Sequence, residues 1–134
     1  MKNLVFIFLI SGLAFLISCN NDEVSTALEY HIKIESPAAN TAVKVGNTLA
    51  IKVEFTEHEG GTVHHINVRI YNKATNAEVY NKPNEAHVHQ SGSYTYEDNF
   101  TLNASAGDYI LEATVWGHDD GVSELKSQVE FKVG

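Results

Sequence analysis

The chain has 134 residues, with 17 acidic and 9 basic side chains, a net charge of −8 and a single cysteine. That length holds one domain with a modest core. The negative charge argues against nucleic acid and anionic head groups as partners and leaves cations, basic proteins and neutral ligands open. One thiol excludes a disulfide framework.

Met1-Lys2-Asn3 carries one positive charge, and Leu4 to Ile17 is apolar except for Ser11 and Gly12. This is the charged start and short apolar run of a secretory signal, too short for a membrane span of about 20 apolar residues. Leu16-Ile17-Ser18-Cys19 resembles a bacterial lipobox, in which the thiol takes the lipid and the chain is cut before it. Only a thiolate is nucleophilic enough for that transfer. The expected organisation is a signal peptide over 1–18, a lipidated tether over 19–27 and a domain over 28–134. Cleavage removes Lys2 and brings the net charge from −8 to −9. Asn20-Asn21-Asp22-Glu23 follows, and the Asp22-Glu23 pair looks like a surface-export signal; a plain solvated tether reads equally well.

From residue 28 onward apolar and polar residues alternate, which is the period of half-buried strands. Leu28, Tyr30, Ile32 and Ile34 mark the first strand, and Leu49, Ile51, Val53 and Phe55 the second. Ile66, Val68 and Ile70 mark the third, with His64 on their inward parity and His65 outward with Asn67 and Arg69. Lys73 to Asn76 turns into a hairpin partner over Ala77 to Tyr80, and Asn81 to Gly92 is expected to be a connection. Tyr94 to Leu102, Tyr109 to Trp116 and Leu125 to Val133 complete the set. About seven short strands at regular spacing predict an all-β fold, an immunoglobulin-like antiparallel β-sandwich. Tyr109, after Gly107-Asp108, stands where such sandwiches place a corner tyrosine, and also reads as an ordinary core aromatic.

Seven histidines are present. Following the strands up and down places His58, His64, His65, His87, His89 and His118 at one end, with His31 elsewhere. The third strand should lie between its hairpin partner and the Tyr109 strand, bringing His64 or His65 towards His87, His89 and His118. Imidazole suits Zn²⁺ and Cu²⁺, and alternation points both histidines of a His-x-His pair to one side. The candidate ligands are His64, His87, His89 and His118, with His58 and His65 as further candidates. A pH-responsive or merely solvated polar cap is the other reading of the same residues.

Asp119-Asp120-Gly121 lacks the alternating oxygen ligands of a calcium loop. No serine sits in a Gly-x-Ser-x-Gly elbow. Glu57, Glu59 and Asp119 are carboxylates from which a hydrolase could draw a pair, but nothing in the pattern selects one. The chain therefore reads as a non-catalytic binding domain. An accessory interaction domain in an outer-membrane complex is the first alternative, and a hydrolase using the loop carboxylates the second.

The lipobox, His65-Ile66-Asn67-Val68-Arg69-Ile70-Tyr71-Asn72, His87-Val88-His89 and His118-Asp119-Asp120-Gly121 together resemble the short immunoglobulin-like lipoproteins of Bacteroidota, a family of unknown function. The resemblance implies an outer-membrane lipoprotein on the cell surface or periplasmic face, held by lipid on Cys19, with a binding role and no established activity. Gly117 departs from it, since an Asp is expected before that histidine, and this weakens a calcium-loop reading further.

Overall fold

A computed structural model describes residues 29–58, 60–118 and 124–134, without the side chains of 83–86. Cys19, Asp22, Glu23, Glu59, Asp119 and Asp120, and the expected signal peptide and tether, lie outside the described residues. No described helix is long and apolar enough to cross a membrane.

The strands run β1 Tyr30–Ser36, β2 Ala42–Val43, β3 Thr48–Glu57, β4 Thr62–Asn72, β5 Glu78–Ser91, β6 Ser93–Thr101, β7 Gly107–Trp116 and β8 Leu125–Val133. They form a three-stranded sheet, β1-β3-β6, and a five-stranded sheet, β2-β8-β7-β4-β5. The immunoglobulin-like sandwich is thus present, with seven substantial strands and a two-residue β2 that pairs in parallel with β8.

The period-2 pattern explains the layering. On β3, Leu49, Ile51, Val53 and Phe55 are buried and alternate with less buried neighbours. Ile66, Val68 and Ile70 of β4 meet them in the core with Leu111, Val115 and Phe131. Tyr109 is both core aromatic and corner: it is buried, and its Oη donates to the Ser105 carbonyl at 2.9 Å. Tyr80 of β5 closes one side of the sandwich, its hydroxyl donating to Asp98 Oδ2 of β6 at 2.6 Å and lying against the Tyr96 hydroxyl.

The expected connection over Asn81–Gly92 is instead strand almost throughout. β5 continues beside β4 to Ser91, with three residues, 83–85, opposite Asn67 alone where the register shifts between Ile66 and Val68. Pro83 has no N–H to give a ladder, and an edge strand with a bulge is where a sheet accommodates it. The chain then crosses to the other sheet through Gly92 alone, at φ +77°, a left-handed conformation that favours glycine.

Candidate metal centre

The topology puts the ends of β4, β5 and β7 side by side. β4 pairs with β5 on one edge and with β7 on the other, and His65 stands directly opposite both His87 and Trp116. Two irregularities then shape the site. Between Val63 and His65 the register slips, so that Val88 and His89 of β5 face His64 alone. His89 occupies this bulge at φ +48°, a region that non-glycine residues enter at a cost. On β4 the slip breaks the alternation: Val63 and His64 are both buried, His64 to 6% exposure.

His64 is the hub. Its ring centroid lies 4.4 Å from that of His87, 4.2 Å from His89, 3.7 Å from His118 and 4.9 Å from His65. One ring nitrogen from each of His64, His87 and His89 can be chosen so that all three lie within 4.8 Å of one another. His64 Nδ1 and His87 Nε2 are 3.1 Å apart. Two imidazole nitrogens on a tetrahedral Zn²⁺, with bonds of about 2.0–2.1 Å, would be separated by about 3.3–3.4 Å, so this pair fits one edge of such a site. His118 lies against His64 but about 6 Å from the other two rings, at 6.3 Å from His87 and 6.1 Å from His89.

The electrostatics favour neutral rings. Burial, reinforced by His118, His89, His87 and His65, pushes His64 down to about 4. Desolvation, followed by His89, His65 and His118, also lowers His87. A neutral imidazole keeps the lone pair that a metal needs, so the lowered values leave these nitrogens free of protons at neutral pH.

Three expectations are corrected or refined. His58 does not join the group: its ring lies 6.1 Å from His31, and its N–H donates to the Glu29 carbonyl at 3.1 Å. The cause is Glu57, a buried carboxylate that accepts the backbone N–H groups of Glu29 and Gly61 and ties the end of β3 to the start of β1. Glu57 is thus engaged in holding backbone. His65, expected to face solvent, is half-buried, with Nδ1 2.7 Å from the Gly117 carbonyl and its ring stacked on Trp116 at 5.3 Å and 11°. The sequence places Trp116 only at the end of the Tyr109 strand. What places it here is its register opposite His65, which follows from pairing the ends of β4 and β7.

The fold and site together define an immunoglobulin-like sandwich with a histidine cluster at one end. No family model and no curated protein matches the sequence. Among solved structures, the chain is similar to the CARDB domain of a Pyrococcus furiosus protein, in solution at 17% identity and TM-score 0.54, covering 79% of this chain and 94% of that one. A crystal structure of the same domain, described as a complex with di-metal ions, gives 17% identity and TM-score 0.54 over 80% of this chain and 89% of that one. A β-glucosidase from Listeria innocua in complex with glucose matches at 14% identity and TM-score 0.54, over 80% of this chain but only 16% of the enzyme. At these identities the likeness is one of fold.

Proposed function

We propose that this chain is a non-catalytic, lipid-anchored binding protein whose sandwich end holds a Zn²⁺ or Cu²⁺ ion on His64, His87 and His89, with His118 completing the set. The observation that carries this reading is the convergence of three imidazoles, one from β4 and two from β5, to ring nitrogens within 4.8 Å. His64 meets there with His87 and His89, 23 and 25 positions away in sequence, and among the described residues the group holds no carboxylate or thiolate. An all-imidazole donor set suits these two ions, and Cu²⁺ binds a given nitrogen site more tightly than Zn²⁺. That a domain of similar fold has been crystallised with di-metal ions supports the fold as a frame for such sites. The anchor on Cys19 and an outer-membrane location rest on the lipobox and the signal-like amino terminus.

Calorimetric titration of the chain from residue 22 onward with Zn²⁺ and Cu²⁺ tests the site. One ion per chain is expected, with at least a hundredfold loss of affinity in His64→Ala and His87→Ala, and little change in His58→Ala. Weak binding that none of these substitutions alters would overturn the reading.

A further inference from the structure

We propose that His65 is a positioning residue of the histidine centre and not one of its ligands: it donates its Nδ1 proton to the Gly117 carbonyl and, stacked between His87 and Trp116, fixes both the His87 ring and the Gly117-His118 peptide. The effect on metal affinity rests on the function proposed above, whereas the lock itself belongs to the metal-free fold.

The argument starts from the tautomer. A carbonyl oxygen only accepts, so the 2.7 Å contact between His65 Nδ1 and Gly117 O requires the proton on Nδ1. That same Nδ1 is the atom 3.3 Å from His64 Nδ1. The nitrogen that His65 turns towards the hub therefore has no free lone pair. His64 Nδ1 and His87 Nε2, by contrast, face each other at 3.1 Å with no carbonyl competing in that contact.

The ring geometry adds a second constraint. His65 lies in register with His87 on β5 and with Trp116 on β7, so the three side chains form one row across the sheet. Their planes are nearly parallel, 9° between His65 and His87 at 4.5 Å, and 11° between His65 and Trp116 at 5.3 Å. A ring covered on both faces opposes rotation of its neighbours. His87 is exposed, and this stack is what holds it beside His64. Through Gly117, which is buried, the same residue sets the start of the loop that lays His118 on His64.

Residues that orient ligands cost about 10- to 100-fold in affinity when lost, without changing the number of ligands. The test uses the full chain in detergent. His65→Phe keeps a stacking ring but removes the proton donor, and His65→Ala removes both. Zn²⁺ affinity is expected to fall about tenfold in the first and about a hundredfold in the second. The number of imidazoles around Zn²⁺, counted by X-ray absorption, should equal that of the wild type in both, with circular dichroism confirming that they fold. A count lower by one makes His65 a ligand and overturns the proposal, and so does unchanged affinity in both variants. Independently, ¹⁵N NMR of the metal-free protein should find His65 as the Nδ1–H tautomer. The Nε2–H form overturns the lock whether or not metal binds. A wild-type chain that takes up no Zn²⁺ yet shows the Nδ1–H tautomer overturns the metal reading and supports the lock alone.

Discussion

His64 concentrates the energetics of the site in one side chain. Buried among four other histidines, it is neutral in the fold down to about pH 4, whereas in the unfolded chain it takes a proton near its ordinary 6.5. Below pH 6.5 the unfolded state therefore binds the extra proton, and stability falls as pH drops from about 6.5 to about 4. Above 6.5 the residue contributes no slope. The urea midpoint of the metal-free protein should decline over that window, and decline less in His64→Gln, which cannot titrate. Parallel curves for the two proteins would remove His64 as the cause. Zn²⁺ held as proposed would add to the same trend, since a metal stabilises the fold through the bound state and protons compete for the ring nitrogens. The metal-loaded protein should thus lose more of its stability on acidification than the metal-free one.

At the scale of the strands, the bulge on β5 brings His89 to its place. Its φ of +48° costs a residue with a Cβ about 1–2 kcal/mol relative to glycine. His89→Gly should therefore be more stable than His89→Ala by about 1 kcal/mol in urea unfolding, while both lose metal affinity. Equal stability would show that the bulge carries no strain. A second device joins β5 to β6: in Tyr80→Phe the Asp98 carboxylate loses the hydroxyl that holds it, at a cost of about 1.5–3 kcal/mol for a hydrogen bond to a charged group. An unchanged urea midpoint would deny that link its role. These devices also mark what could be read in the sequence. The alternation of Ile66, Val68 and Ile70 announces the buried face of β4, and the pairing of β4 with both β5 and β7 follows from topology, so the approach of His64 to His87, His89 and His118 was legible. The bulge was not, because strict alternation already sends His87 and His89 to one side and gives no sign of a slipped register. Nor was the length of β5, since Pro83 and its polar neighbours read as a connection until an edge strand is available to absorb them. His58 shares that end but stays outside the cluster, and nothing in the sequence signals this, because a buried glutamate tying down backbone N–H groups looks like any other loop carboxylate.

Considered whole, the molecule enters its fold at the histidine end. β1 runs antiparallel to β3 with Tyr30 opposite Glu57, and the Tyr30 hydroxyl donates to the Thr62 carbonyl at the start of β4. If Cys19 carries lipid, the ten residues 20–29 between it and Tyr30 span at most about 33–36 Å. β4 runs about 36 Å at 3.3 Å per residue over its 11 residues, so the opposite end of the sandwich lies a further strand length from that attachment. A lipid on Cys19 would therefore have the histidine end as the nearer of the two ends along the chain. Trp116, the only tryptophan, stacks on His65 at the near end and so reports the orientation. In vesicles containing lipids with nitroxide-labelled head groups, deletion of residues 20–26 should increase quenching of Trp116 fluorescence in the lipidated protein. Cys19→Ser, with no anchor, should show none. Equal quenching with and without the tether would mean that the histidine end points away from the membrane.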